Sequence, residues 1–261
     1  MTVTTPSITQ NGRLEPFELQ VGRGQITGHS VIHVFGHNPD VDQTEVTVWP
    51  AAGILTHPAS PIQMKISSTS ANDTGAGTGA RTVYILGING TGGYVSETVE
   101  LTGRTAVTTE HSYDAIEQMT VMSVGSGGVN AGTIYAGTGT VTAGVPATIY
   151  SAMGPGDNLS LVGHWTCPTG YTGYLVRGLL TCGTTGTGQY ITGRLKQRGQ
   201  DGIVRTAAVT TVSNGVADYD FAYPVKILEG ECVTATAKGS NNNNDVASYF
   251  QIVLIKNDGS L

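Results

Sequence analysis

A chain of 261 residues has material for one large core or two modest ones, and its formal charge of -6, with no long run of Lys or Arg, disfavours a nucleic-acid partner. With 37 glycines and only 12% charged residues, polarity falls to Thr, Ser and Asn, a mixture that suits strands and turns and, lacking a three-residue period, excludes collagen. No window reaches the ~18 apolar residues of a membrane span, and the opening MTVTTPSITQNG has neither a basic nor an apolar leader segment, so neither membrane insertion nor conventional export is expected.

Residues 1–25 are polar, interrupted by Pro6 and Pro16, and read as an extended N-terminal arm whose alternation at Phe17, Leu19 and Val21 can pair as an edge strand. From Ile26 the pattern is strand and turn: GHSVIHVFGHN, the turn NPD, TEVTVW and, after a proline-rich stretch, QMKISS. The small-residue loop TSANDTGAGTGA leads into RTVYILGI, SETVELTG and MTVMSV, while HSYDAIEQ reads as a single helical turn. Gly and Pro density around residue 144 marks a boundary, giving a first β-sandwich module over 26–144 and a second over 145–261. The second module holds seven short strands at regular spacing, from HWTCP to ASYFQIVLIK, as a sandwich or jelly roll would. The predicted fold is therefore all-β: two β-sandwich or jelly-roll-like modules preceded by the arm.

The loop Gly75–Arg81 (GAGTGAR) contains a lone G-x-G but lacks the following helix of a dinucleotide site and the Lys-Ser/Thr of a P-loop, and reads as a turn. His29, His33 and His37 are spaced four apart. On a helix they would line one face as zinc ligands; on a strand they share a side at ~13 Å intervals, and they read as surface or interface histidines. Asp40, Asp42 and Glu45 lack the glycine and terminal Glu of a calcium loop. Cys167, Cys182 and Cys232, an odd number, make no disulfide framework and fit a reducing cytosol. Asp218 and Asp220 flank Tyr219 as solvent-facing strand residues rather than a glycosidase pair, and no G-x-S-x-G elbow occurs. No catalytic residue, cofactor or metal is expected. Trp165, Tyr171, Tyr174 and Tyr190 cluster in sequence, and Tyr171, Tyr174 and Tyr190 form a candidate aromatic surface for a sugar or a partner's pocket.

The runs VIHVFGHNPDVD (31–42), VW (48–49), ANDTGAGTGARTVYILGINGTGGYVSETVELTG (71–103), CPTGYTGYLVRGLL (167–180) and LKQRGQDGIVR (195–205) resemble virion structural proteins of tailed bacteriophages, including marine and cyanobacterial podovirus types. The resemblance covers the chain from about residue 21 onward. It implies a non-enzymatic virion part: a capsid-surface decoration or cement protein or, alternatively, a neck or tail appendage that serves tail assembly or binds a host glycan. The implied partners are further copies of the chain, with a trimer expected, and the major capsid protein or other virion proteins. Phe17, Leu19, Val21, His29, His33 and His37 are the expected assembly contacts.

Overall fold

The computed structural model describes residues 9–10, 13–183 and 186–257. The chain opens with a short antiparallel ribbon, β1 (Thr9–Gln10) and β2 (Arg13–Leu14), followed by α1 (Phe17–Gly22). The edge strand expected at Phe17, Leu19 and Val21 is thus helical. Pro16 stays extended at ψ 144, its carbonyl accepts from the amides of Leu19 and Gln20, and the chain leaves through Gly24 at φ 69. A helical turn does not alternate, so Gln20 and Val21 are buried while Leu19 is 49% exposed. No helix among the described residues is long and apolar enough to cross a membrane.

Next come β3 (His29–Val41) and β4 (Val46–Thr47). After them run β5 (Ile62–Ser68), β6 (Ala80–Ile88), β7 (Tyr94–Glu100), β8 (Val107–Tyr113), β9 (Ala115–Val124), β10 (Ile134–Thr142) and β11 (Val145–Met153). The chain ends with β12 (His164–Thr166), β13 (Tyr171–Gly183), β14 (Ile191–Arg198), β15 (Val204–Val212), β16 (Gly215–Ile227), β17 (Cys232–Gly239) and β18 (Asn244–Lys256).

The all-β prediction holds, but the units interleave. One sandwich faces a sheet of order β16-β13-β18-β3 against a sheet of order β12-β17-β14-β15, with β4 also paired to β17. All pairings are antiparallel, and the connections around β12, β13, β16, β17 and β18 cross from one sheet to the other, giving a jelly-roll-like unit. Period-2 burial along β18 sends Val246, Phe250, Ile252 and Leu254 inward onto Val34, Trp165, Leu175, Leu180 and Ile191. The second sandwich, β5 to β11, is inserted between β4 and β12. Its sheets have orders β11-β10-β5-β8 and β7-β6-β9, and Met64, Ile66, Ile85, Leu101, Met119 and Ile134 fill its core.

Two expectations from the sequence are corrected here. The boundary near residue 144 is the tip of a hairpin: Ala143 at φ 51 and Gly144 at φ 86 make the two-residue turn joining β10 to β11, with Thr142 opposite Val145. The division into 26–144 and 145–261 therefore gives way to an insert within a unit that β3 and β18 close together. HSYDAIEQ is not a helical turn. The chain switches sheets at Asp114, so Tyr113 of β8 and Ile116 of β9 both reach one core, and their helical-looking spacing arises from that switch.

Carboxylates close the insert's loops and edges. Buried Asp73 accepts from Ser68 Oγ at 2.5 Å and from the amides of Ala80, Ala131 and Gly132 at 2.7 to 2.9 Å, so the Gly-rich loop folds around it. Glu97 of β7 accepts from the amides of Glu110 and His111 on edge strand β8 and from Tyr113 Oη.

Candidate functional site

The strand β12 borders its sheet, so some of its backbone amides need a partner from outside that sheet. The insert supplies it. Glu117 Oε2 on β9 accepts from the Thr166 amide at 3.0 Å, and Tyr94 Oη on β7 accepts from Trp165 Nε1 at 3.1 Å. Alternation along His164-Trp165-Thr166 sends the indole into the jelly-roll-like core and places His164 on the opposite face of the strand.

A cleft of about 290 Å³ lies at this junction, lined by Val31 and Phe35 of β3, Leu86, Tyr94 and Glu117 of the insert, and His164. Glu117 Oε1 is buried without a hydrogen-bond partner. Burial pushes the Glu117 carboxyl up to about 7, against the lowering pull of its hydrogen bonding to Thr166. Burial also raises the Tyr94 hydroxyl, and the nearby Glu117 charge adds to the effect.

Beside the cleft stand His57, from the connection between β4 and β5, and Cys232, the first residue of β17. Cys232 lies opposite Thr166 on one side and Arg198 on the other. The rings of His57 and His164 are 4.7 Å apart at a tilt of 52°. Each nitrogen of His164 meets a threonine hydroxyl, Nδ1 that of Thr234 at 2.8 Å and Nε2 that of Thr166 at 3.2 Å, while the His57 ring bonds to the Asp114 backbone. Burial, followed by the charges of His57 and Arg198, holds the His164 imidazole well below the usual histidine range; burial and Arg198 lower His57. Burial pushes the Cys232 thiol up to about 11. The donor atoms of His57, His164 and Cys232 all lie within 4.8 Å of one another.

Of the residues singled out from the sequence, His33 and Trp165 line the cleft and Cys232 stands beside it, while the others lie elsewhere. His29, His33 and His37 share a face of β3, each with its own partner: the Thr27 carbonyl, Tyr249 Oη and Asp245 Oδ1. Phe17 meets the His29 ring edge-on at 6.1 Å, and Val21 is buried by its own chain. Tyr171 packs on the jelly-roll-like core and opens β13 opposite Lys256, whereas Tyr190 lies beyond the far end of β17, hydrogen-bonded to Ser240. Tyr171, Tyr174 and Tyr190 thus form no common platform. Asp218 and Asp220 hold Arg177 at 2.6 and 3.7 Å, and Glu45 draws in Lys196 and Arg194 at 3.4 and 3.5 Å. The three cysteines are free and buried.

Sequence reading missed the junction because its residues are remote from one another. His57 stands in a proline-rich stretch, His164 is a single histidine beside Trp165, and Glu117 sits inside the supposed helical turn. A charged Glu inside a strand whose Ala115, Ile116 and Met119 are core residues, AIEQM, was the available signal.

No known protein family matches the sequence, and no curated protein is similar to it. Among solved structures, a crystal structure of the infectious bursal disease virus VP2 subviral particle matches over 89% of this chain and 73% of that one, at 9% identity and a TM-score of 0.24. That neighbour is a weak one, a viral capsid protein, and the likeness is too slight for any property to be carried across.

Proposed function

We propose that this chain is a non-enzymatic structural protein of a phage virion, a decoration or cement subunit that self-associates as a trimer and binds neighbouring capsid protein. The observation that carries the reading is the apolar edge made by β15 and β16. Each strand borders its sheet, and Val209 at 59%, Val216 at 62% and Tyr223 at 90% exposure stand in solvent. Between the two strands the sandwich opens into an apolar slot of about 70 Å³, lined by Leu180, Leu195, Val209, Tyr219 and Phe221. Monomeric soluble proteins rarely leave such surface uncovered, and open strand edges invite pairing with another chain. The motifs at 31–42, 71–103 and 167–180 supply the phage context.

The reading is tested on particles. Virions lacking the protein should release DNA at lower temperature while adsorbing normally, and the isolated chain should elute as an oligomer that Val209→Asp with Tyr223→Ser dissociates. Particles with an intact shell that fail to adsorb would instead identify a neck or tail appendage. A monomer indifferent to the double substitution would remove the apolar edge from the argument.

A further inference from the structure

We propose that His57, His164 and Cys232 bind a thiophilic divalent cation of the zinc class at the junction of the insert and the jelly-roll-like unit. Their donor atoms already lie within 4.8 Å of one another, and small side-chain rotations reach the roughly 3.5 Å separations set by bonds of ~2.0 Å to nitrogen and ~2.3 Å to sulfur around a tetrahedral ion. Two imidazoles and a thiolate select zinc over magnesium or calcium, which prefer oxygen ligands. Three protein ligands leave a fourth position for water. Among the described residues no other group of three such side chains comes together in this way.

The surroundings match those of a metal site. A ligating histidine keeps its second nitrogen on a fixed oxygen, which sets the ring's orientation. His164 has a threonine hydroxyl on each nitrogen, so either can ligate while the other stays held, and His57 bonds to the Asp114 backbone. Arg198 opposes a bare dication but favours the Cys232 thiolate, leaving a bound set of one positive charge. Glu117, whose Oε1 is buried without a partner, lies close enough for a charge on it to act on Cys232. Binding forms two metal–nitrogen bonds and one metal–sulfur bond and releases the thiol proton to solvent, so affinity falls on acidification. The ion would join the connection from β4 to β5 with β12 and β17, segments far apart in sequence.

The test uses the full-length, untagged chain, stripped with chelator and titrated with Zn(II) or, for spectroscopy, Co(II). One equivalent should bind, and Co(II) should produce a thiolate-to-metal charge-transfer band. Cys232→Ser should remove the band, and His57→Ala, a change on a connection outside the strands, should weaken binding about 100-fold or more with an unchanged circular dichroism spectrum. Cys182→Ala should alter neither. Should Cys232→Ser fail to fold, the His57→Ala titration together with the native Co(II) spectrum decides. Sub-stoichiometric binding, or a band and affinity that survive His57→Ala, would overturn the proposal.

Discussion

In the insert, boundaries are turned inward: Asp73 gathers the Gly-rich loop, Glu97 covers the amides of β8, and Glu117 reaches across to β12. In the jelly-roll-like unit, β15 and β16 leave edges open and valines and tyrosines in solvent. Both units bury aliphatic cores of the same kind, so the difference lies in how exposed backbone and apolar surface are dealt with. An edge covered by a carboxylate of its own unit, as β8 is by Glu97, has little reason to pair further. An edge left open, as at β15 and β16, keeps unpaired backbone groups that another strand could meet.

The comparison breaks most sharply at Asp73. Asp73→Ala leaves the buried amides of Ala80 and Gly132, the part-buried amide of Ala131 and the Ser68 hydroxyl without their acceptor and should destabilise the insert by about 3–5 kcal/mol. Urea titration followed by a fluorophore in each unit should show the insert unfolding first, and coincident, unshifted transitions would contradict the role given to this carboxylate. Next is Gly36→Ala on β3. Its Cβ would meet the Val48 carbonyl at 2.5 Å and Gly163 Cα at 2.7 Å, backbone that cannot step aside, for a loss of about 1–3 kcal/mol in the jelly-roll-like unit.

Glu117 sharpens the comparison through pH. With its carboxyl raised from 4.5 to about 7, the folded state holds a proton that the unfolded chain has lost between those values, so its contribution to stability declines as pH rises through that window. His57 and His164, lowered from 6.5, work in the opposite direction and destabilise as pH falls below that value. Glu117→Gln should therefore raise the melting temperature near pH 8, by about 1–2 kcal/mol of stability, and the gain should vanish below 4.5. An equal gain at both pH values would assign the effect to packing. The smallest change in monomer stability, within about 0.5 kcal/mol, is expected for Val209→Thr with Tyr223→Ser, because both side chains already face water; association should nonetheless weaken in sedimentation.

The strands were legible wherever one face meets a core, as the alternation of QMKISS, RTVYILGI and ASYFQIVLIK shows against β5, β6 and β18. Their partners were not. The pairing of β3 with β18 joins segments some two hundred residues apart, and no local pattern carries that information. The helix at Phe17–Gly22 was hidden by apolar residues that happen to alternate, and the hairpin at Ala143-Gly144 by composition that linkers share. The junction site was hidden for a related reason: each of its ligand-type residues is solitary in sequence and gains meaning only when the connection from β4 to β5, β12 and β17 converge.

The pairing of β3 with β18 also sets an order of events during synthesis. Once Met153 has left the ribosome, every strand of the insert is present and its core can condense. β3 has by then been exposed since before the insert was made, yet the strand beside it is translated last of all those described, so the jelly-roll-like core waits on β18. Through that interval the nascent chain carries a complete insert flanked by a β-strand whose partner has yet to be made.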